Sequence, residues 1–496
     1  MSRQLIVAHD LGTSGDKASL HDADGRLLAS HTVHYSTDYG PGGKAEQDPA
    51  DWWDAVCEAS RRLLTETGAT ADEVACVAMS GQMMGVVLVD VDDRPVRPAV
   101  IWADTRALEE ASILIERIGL ERAYDLLGHR IDATYSLPKL MWLRAHEPEA
   151  YGRATSFLLA KDYITLRLTG RRCTDPSDAS GTDAYDQRAG TWSSLLLDAA
   201  EIDTALLPEV VPSATVAGGL LAAAAAATGL REGTPVVVGG GDGATAALGA
   251  GLVHQGSGAN ATIGSSAWIS VASDTPVRDP SMRLVTFDHV VPGHFVPLGA
   301  MQAAGASVDW LAETLEVPKG PPLAELLDAA GGVEAATDGL FYLPYLLGER
   351  SPIWNARARG SFIGISRHHG AAHMARAVME GVAFNLYTIL VALEELAGSI
   401  DVVDAIGGGA RSDVWLRIMA DTWGVPVRRR TIVDEANSLG AAVVGGMATG
   451  LIDAWGHAGS LSQVEATFEP DDARHAVIRP MYRRFAESYQ RLETWF

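Results

Sequence analysis

Residues 236–251, VVVGGGDGATAALGAG, constrain the fold of this chain more than any other stretch. A β-branched run, three glycines and an alanine-rich segment predict a buried strand, a tight turn and a helix in immediate succession. Gly239, Gly241 and Ala244 match the G-x-G-x-x-G/A spacing of dinucleotide-binding loops, whose backbone N–H groups hold a pyrophosphate. The stretch therefore predicts either a dinucleotide site or a loop that presents the carboxylate of Asp242.

Two observations favour the carboxylate. The acidic residue expected about twenty positions further on, which would bind a ribose hydroxyl, is missing from residues 259–266, ANATIGSS. A carboxylate inside the loop would also repel a pyrophosphate, and we expect the partial positive charge of the helix N-terminus to keep Asp242 ionised. Asp242 could still be only the N-cap of the helix, a common role for aspartate.

A hydroxyl-rich turn occurs twice in the chain. Residues 10–20, DLGTSGDKASL, predict two strands joined by a turn that contains Thr13 and Ser14. Residues 261–272, ATIGSSAWISVA, can be laid over them so that IGSS matches LGTS. The repeat indicates a duplicated chain with a split nucleotide cleft, in which each loop offers amides and hydroxyls to one side of a phosphate chain. Such turns also close ordinary hairpins.

The remaining pattern predicts mixed α/β layers, because strands and hairpins precede helices in each half. Asp48 and Pro49 predict the start of a helix. Residues 401–427 predict a strand, a glycine turn, a helix and a strand, and the glycines could admit a flat ligand such as an adenine ring. A chain of 496 residues suggests two or three domains, and we expect the boundary after Gly251.

Charge and cysteine content limit the partners of the protein. A formal net charge of -24 argues against a nucleic-acid or anionic-membrane surface, because those need clustered Lys and Arg. The three cysteines have no C-x-x-C spacing and cannot all pair, which fits a reducing compartment. The N-terminal apolar run is too short for a signal peptide, and we expect no segment apolar enough to span a membrane. These features predict a cytoplasmic protein.

Taken in order, the motifs resemble those of the FGGY carbohydrate kinases, within the superfamily of sugar kinases, actin and heat-shock chaperone ATPases. Among the FGGY kinases, the chain is most similar to the xylulokinases. Each motif alone is modest, but their order and spacing over nearly the full length are specific. The motifs are DLGTSGDK from residue 10, EQDPADWW from 46, SGQMMG from 80, IWADTR from 101, LLAKDYITLRLTG from 158, TDPSDASGT from 174, GGGDGATAALG from 239, LPYLLGERSP from 343, GSFIGISRHHGAAHMARAVMEGVAFNL from 360 and IGGGARSDVW from 406.

The resemblance implies an α/β fold of two ribonuclease-H-like domains, as in actin-like ATPases, around a central cleft. Residues 1–251 would bind mainly the sugar, and residues 252–496 mainly ATP. ATP and Mg²⁺ are the implied cofactors, a small-molecule sugar is the implied partner, and a homodimer is possible.

The resemblance also implies roles for individual residues. Asp242 corresponds to the general base, which accepts the proton of a sugar hydroxyl as phosphoryl transfer proceeds, and Asp10 to the acidic group near magnesium. Thr13, Ser14 and Lys17 match the first phosphate loop, Gly264 and Ser265 the second, Gly305, Gly409 and Asp413 the adenosine pocket, and Met83, Met84 and Trp102 the sugar pocket. The alternative roles are structural: Asp10 could close a turn, Lys17 could be a solvated surface charge, and Trp102 and the two methionines could pack in the core.

Two departures from the xylulokinase motifs bear on the sugar. Where xylulokinases usually read Gln-Met-His-Gly, this chain has Met84 in place of the histidine, and where they carry Asp-Asn, it has Gly243 after Asp242. Both changes remove a polar side chain beside the expected sugar. The resemblance therefore implies a ketopentose such as D-xylulose or a deoxy-ketose, with ribulose, erythritol or glycerol as alternatives. A non-enzymatic ATPase module and a dehydrogenase are the competing classes.

Overall fold

The framework of the protein is a pair of mixed β-sheets, one in each half of the chain. The computed structural model describes residues 3–335, 339–431 and 435–496. The first sheet has six strands, in the spatial order Val216–Gly219, Pro235–Gly241, Val74–Gly81, Leu5–Leu11, Gly15–His21 and Leu27–His34. The second has seven, in the order Val285–Asp288, Phe295–Met301, Ala267–Val271, Ala259–Ile263, Val403–Ile406, Val427–Arg430 and Val464–Phe468.

The two sheets share one arrangement around a central strand. Leu5–Leu11 pairs antiparallel with the strand that follows it and parallel with Val74–Gly81. Ala259–Ile263 likewise pairs antiparallel with the strand that follows it and parallel with Val403–Ile406. In each half the hydroxyl-rich turn joins the central strand to its antiparallel neighbour, which confirms the duplication inferred from sequence.

Smaller elements complete the described part of the chain. The remaining strands are Asp38–Gly40, Lys44–Gln47, Val87–Val89, Ala99–Val100, Ser156–Leu158, Cys173–Thr174, Tyr185–Asp186, Thr191–Trp192, Glu209–Val210, Phe341–Leu343 and Ser361–Ile363. The helices are Pro49–Thr67, Leu108–Ile118, Leu120–Leu127, Ser136–His146, Pro148–Arg153, Ala160–Thr169, Pro176–Ala179, Ser194–Ala200, Ala222–Thr228, Asp242–Gly249, Gly305–Thr314, Pro321–Gly331, Ala371–Ala397, Asp413–Trp423, Ala436–Thr449, His457–Leu461 and Asp472–Leu492, with 3₁₀ turns at Pro41–Gly43, Ala71–Glu73, Thr204–Leu206, Gly408–Arg411 and Glu493–Trp495.

Local sequence determines the ends of several of these elements. Asp48 caps the helix Pro49–Thr67, as predicted, because its carboxylate accepts the backbone N–H of Ala50 at 2.9 Å. The three middle strands of the first sheet, Leu5–Leu11, Val74–Gly81 and Pro235–Gly241, are almost continuously buried. Because both of their faces are covered, their sequences are mostly apolar and do not alternate with polar residues. The three cysteines are free and buried.

The helix Ala371–Ala397 forms the centre of the core of the second half. It is long and apolar enough to cross a membrane by length and composition, so the expectation that no segment meets that test is wrong. However, 78% of an 18-residue apolar window of this helix is buried inside the protein. There the helix packs against the second sheet and against the helices Pro321–Gly331 and Asp413–Trp423. Its apolar composition is therefore that of a core helix.

The helix Ala436–Thr449 packs against the first sheet, although it comes late in the chain. Its residues Ala441, Val443 and Val444 share an apolar cluster with Ile6 and Ala78 of that sheet. Small residues along this helix permit the close approach, since an added Cβ at Gly445 would lie 2.9 Å from the side chain of Ala78. The division into domains 1–251 and 252–496 stays a prediction, but packing of the late helix ties the two segments together.

Gly239 allows an irregularity in the pairing of the strand Pro235–Gly241, just before Asp242. Its φ of 73° lies in the left-handed region, and a Cβ atom there would collide with the carbonyl oxygen of Met79 on the neighbouring strand. The first glycine of the loop is thus required by backbone packing. Gly243, four residues later, has no such restriction, since the nearest atom to an added Cβ is Met83 Sδ at 3.8 Å.

We expect Gly239→Ala to destabilise the protein by at least about 1–3 kcal/mol, because alanine would be strained at this φ and its methyl group would displace Met79. Thermal unfolding followed by circular dichroism measures the effect. Gly243→Ala is the matched control and should change the stability by less than about 0.5 kcal/mol. Equal unfolding temperatures for the two variants would contradict this account of the loop.

Candidate active site

Asp10 lies at the end of the central strand of the first sheet and contacts two neighbouring elements. Its Oδ1 accepts the hydroxyl of Ser80 at 2.9 Å and the side-chain amide of Asn437 at 3.4 Å. In register, Asp10 is opposite Lys17 on one side and Ser80 on the other. Burial raises the pKa of Asp10, while the two hydrogen bonds oppose that effect.

Asp242 begins the helix Asp242–Gly249 and is not its N-cap. That position belongs to Gly241, so the interpretation of Asp242 as only a capping residue is wrong. The Oδ1 of Asp242 accepts the backbone N–H of Gly243 at 2.7 Å. The side chain is partly exposed to the cavity described below.

The ionisation of Asp242 differs from the sequence expectation. Burial, and after it repulsion from the carboxylate of Asp10, raise the pKa of Asp242 to about 7, against the opposing hydrogen bond from Gly243. The helix N-terminus therefore does not keep this group fully ionised near neutral pH. A carboxyl with such a pKa can exchange a proton with a bound ligand.

The two hydroxyl-rich loops lie close to this pair of carboxylates. In the first, the hydroxyl of Thr13 accepts the indole N–H of Trp102 at 2.8 Å, and Ser14 follows it in the same turn. In the second, the carbonyl of Gly264 accepts the N–H of Gly305 at 2.9 Å, and that of Ser265 accepts the N–H of Ala304 at 2.8 Å. The structure thus brings together three predicted residues, Gly264, Ser265 and Gly305.

The close fit between the second loop and the helix Gly305–Thr314 explains the glycine at its start. A Cβ at Gly305 would lie 2.5 Å from the carbonyl oxygen of Gly264. Gly409 lies in the 3₁₀ turn after the strand Val403–Ile406, where an added Cβ would meet the side chain of Ile263. Gly409 is therefore also next to the second loop.

Asp413 lies apart from the cavity. It is the first residue of the helix Asp413–Trp423, its side chain is 66% exposed, and it pairs with Arg429 Nη1 at 2.6 Å. Asp413 follows Gly409 by four residues, and its carboxylate pairs with Arg429. It is not among the residues that line the cavity.

One cavity of about 290 Å³ collects residues from both halves of the chain. Asp242 lines it together with all three predicted sugar-pocket residues, Met83, Met84 and Trp102. The other residues around it are Asp132, Thr134, Tyr135, Gly243, Ala246, Ser266, Trp268, Val285, Phe287, Leu298, Ala300, Met301, Gln302, Arg350, Ser351, Trp354 and Asn437. Most of the walls are apolar, with a few polar groups among them, as is usual for small-molecule sites.

Met84, whose side chain lines the cavity, has a backbone conformation that is unusual for a residue other than glycine. Its φ is 65°, in the left-handed region, and its carbonyl accepts the ammonium of Lys139 at 2.9 Å. The same ammonium also donates to the carbonyl of Thr134, on the adjoining wall. Burial lowers the pKa of Lys139 to about 7. The buried lysine therefore joins two segments of the cavity wall.

Arg350 and Asp132 are functional candidates that the sequence analysis did not identify. Glu349, which is buried, accepts the backbone N–H groups of Gln302 and Arg350, each at 2.9 Å, and the amide of Asn385 at 2.8 Å. Those bonds fix the segment that carries Arg350 into the cavity. Within the described residues, no acidic oxygen lies within 4.0 Å of the Arg350 guanidinium. The LGERSP motif was the only signal for this residue.

Comparisons with known proteins agree with the fold and with the motifs. The N-terminal domain of the FGGY family of carbohydrate kinases matches residues 5–249, and the C-terminal domain of that family matches residues 259–449. The chain is 33% identical to a xylulose kinase of Bacillus subtilis (strain 168) over 447 residues, which cover 90% of this chain and 89% of the relative.

Two solved structures extend the comparison to three dimensions. The xylulose kinase of Rhodospirillum rubrum superposes with a TM-score of 0.91 at 32% identity, and the match covers 99% of each chain. The gluconate kinase of Lactobacillus acidophilus superposes with a TM-score of 0.93 at 28% identity, covering 99% of this chain and 98% of the other. The predicted two-domain, actin-like α/β fold is confirmed.

Proposed function

Because the chain belongs to the FGGY family of carbohydrate kinases and transfers a phosphoryl group from ATP to a sugar hydroxyl, we propose that its substrate is a small neutral ketose. The simplest candidates are a ketopentose such as D-xylulose and a deoxy-ketose. One observation carries the proposal: a carboxylate whose pKa is raised to about 7 lies in an apolar cavity beside two hydroxyl-rich loops.

In this proposal, Asp242 is the general base. A sugar hydroxyl is a poor nucleophile, and a carboxylate that accepts its proton during transfer contributes roughly a hundred- to ten-thousand-fold to the rate. A base is most effective when its pKa lies near the working pH, which the burial of Asp242 and its repulsion from Asp10 provide. The carboxyl also faces the cavity in which the sugar would lie.

The phosphate groups of ATP would bind between the two loops. Thr13, Ser14 and Lys17 supply hydroxyls and a positive charge from the first loop and its strand, and Gly264 and Ser265 supply the second loop. Gly305, Gly409 and Asp413 would line the adenosine pocket. The contact between Gly305 and Gly264 supports this assignment, because it would place the adenosine end next to the phosphates.

Asp10 fits a magnesium ion that is shared with ATP. Mg²⁺ usually binds one or two carboxylates together with waters and substrate phosphates. Among the residues that the structure describes, no group of three or more acidic, histidine or cysteine side chains could hold a metal alone, which agrees with such a shared site. When bound, Mg²⁺ would neutralise charge on the phosphates, and Asp10 would hold it at the end of the central strand.

The charges around the cavity support a neutral sugar over a sugar acid. The charged side chains among its lining residues are Asp132, Asp242 and Arg350, so two carboxylates face one guanidinium. A substrate carboxylate would be attracted by Arg350 but repelled by Asp132 and by the ionised form of Asp242. Since ATP is available in the cytoplasm and three free cysteines suit a reducing compartment, we place the reaction there.

Met84 and Gly243 bear on which ketose is bound. A thioether donates no hydrogen bond and accepts weakly, so a sugar hydroxyl against Met84 would lack a good partner. Gly243 adds no polar side chain, and an added Cβ there would meet nothing closer than 3.8 Å. Both features favour a substrate that is less polar or bulkier than D-xylulose at this end, such as a deoxy-ketose. The alternative is that water or Thr134 replaces the missing histidine.

We expect Asp242→Asn to lower turnover by about a hundred-fold or more, because the amide keeps the shape but cannot take a proton at neutral pH. Coupled ADP release with a ketose measures turnover, and calorimetry with a non-hydrolysable ATP analogue should show unchanged binding. In the parent enzyme, kcat/KM should rise as the pH increases through about 7, where Asp242 loses its proton. The residual activity of the variant should not show this rise. Turnover near that of the parent would refute the assignment.

We expect the parent enzyme to prefer 1-deoxy-D-xylulose to D-xylulose in kcat/KM, and Met84→His to shift that ratio toward D-xylulose. A buried hydroxyl without a partner costs about 1–3 kcal/mol, so the shift should be several-fold to about a hundred-fold. Histidine is among the residues that tolerate the left-handed backbone found at this position.

Met84→Leu is the control for the sugar preference, because it keeps an apolar side chain of similar volume at the same backbone position. It should leave the ratio of the two kcat/KM values unchanged. Two outcomes would contradict a role of Met84 in sugar preference: a parent enzyme that prefers D-xylulose, or a Met84→His variant with the parental ratio. Met84 would then serve only in packing.

A further inference from the structure

We propose that Ser177 is a positioning residue for Asp242, since its hydroxyl holds the backbone of the glycine loop that carries the base. The inference rests on the proposed role of Asp242 as general base. Ser177 lies in the short helix Pro176–Ala179, on the side of the loop that faces the protein interior, and it is completely buried.

The contact is made one residue before Asp242. The backbone N–H of Gly241 donates to Ser177 Oγ at 3.0 Å. The Ser177 hydroxyl in turn donates to Asp175 Oδ2 at 2.5 Å, so its acceptor lone pairs stay directed at the loop. Ser177 therefore links the N-cap of the catalytic helix to a buried carboxylate.

That carboxylate is itself held by three further groups. Asp175 Oδ2 accepts the hydroxyl of Ser213 at 2.7 Å and the backbone N–H of Ser177 at 3.0 Å. Asp175 Oδ1 lies 3.0 Å from the ammonium of Lys161. All these side chains are buried, so the geometry of Asp175 is fixed by the protein interior and not by solvent.

The charge of Lys161 makes this anchor rigid. Its ammonium also lies 2.6 Å from Asp162 and 3.3 Å from Asp178. Burial alone would lower the pKa of Lys161, but the three carboxylates raise it well above its ordinary value. A buried cation with this many acidic partners holds Asp175 in one position.

Strand pairing with Val74–Gly81 holds one side of the loop, and its glycines have no side chains that could add packing contacts on the other side. Gly239, Gly240 and Gly241 precede Asp242, and the carboxylate of Asp242 accepts a hydrogen bond only from its own neighbour, Gly243, among the described residues. The position of Asp242 therefore depends on the backbone on either side of it, which includes the Gly241 N–H that Ser177 accepts. Displacement of a catalytic group by about 1 Å can cost a hundred-fold in rate.

Ser213 provides a matched control for the test. Its hydroxyl donates to the same Asp175 oxygen as Ser177 does, but it does not contact Gly241. Its link to the loop is a backbone one, from Gly239 N–H to the Ser213 carbonyl, which Ser213→Ala retains. Each of the two alanine variants therefore removes one hydroxyl from Asp175, and only Ser177→Ala also removes the side-chain acceptor of the Gly241 N–H.

The experiment compares kcat, KM for ATP and thermal stability in Ser177→Ala, Ser213→Ala and the parent enzyme. We expect kcat to fall about tenfold or more in Ser177→Ala and to stay within about threefold in Ser213→Ala, while KM for ATP changes less than about twofold in both. Both variants should lose similar stability. Should Ser177→Ala fail to fold, Ser177→Cys keeps the shape with a weaker acceptor and should lower kcat in the same direction.

Equal kcat values in the two alanine variants, or parental kcat in Ser177→Ala or Ser177→Cys, would overturn the positioning role. This outcome is distinct from failure of the proposed base. If Asp242→Asn retained full turnover, the base assignment itself would fail, whatever Ser177 did. A large loss in Asp242→Asn combined with no difference between Ser177→Ala and Ser213→Ala would reject only the positioning role.

Discussion

Burial of Asp242, together with its repulsion from Asp10, raises the pKa of this carboxyl at one edge of the first sheet. Their strands flank Val74–Gly81 and end at the same edge, so two carboxylates are buried near each other. Asp10 receives hydrogen bonds from Ser80 and Asn437, which favour its charged form, whereas Asp242 receives one from its neighbour Gly243. The proton therefore resides more readily on Asp242. In the proposed mechanism, this asymmetry leaves Asp10 for the cation and gives Asp242 the exchangeable proton.

The cavity above this edge depends on contacts between the two halves of the chain. Asp242 and Met84 come from the first half, while Arg350 and Trp354 come from the second. The helix that starts at Ala436 packs on the first sheet and delivers Asn437 to Asp10. Buried networks behind the walls, Lys139 behind Met84 and Glu349 behind Arg350, hold the lining in place. The lining of the cavity and the position of Asp242 therefore depend on the same packed interior.

Local patterns predicted the parts of this site that follow from local rules. The glycine run before Asp242 and the hydroxyl turns with Thr13 and Gly264 lie where the strand–turn–helix and hairpin patterns predict them. Asp132 carries no local signature, and the LGERSP motif marks Arg350 without indicating what it faces, because the approach of both residues to the cavity depends on long-range packing. The ionisation of Asp242 was predicted wrongly, since its pKa depends on burial and on Asp10, which lies far away in sequence. The packing of the helix Ala436–Thr449 on the first sheet could likewise not be predicted from local sequence patterns, because the residues in contact are far apart in the chain.

The proposed reaction transfers the terminal phosphoryl group of ATP to a neutral ketose. The most direct measurement incubates the purified protein with ATP and Mg²⁺, with and without a panel of ketoses, polyols and sugar acids, and quantifies ADP and phosphorylated sugar together. We expect ADP to form only when sugar is present, in a one-to-one ratio with a ketose phosphate, and D-xylulose or a deoxy-ketose to give the highest kcat/KM. ADP release at the same rate without sugar, or a clear preference for a sugar acid such as gluconate, would contradict it.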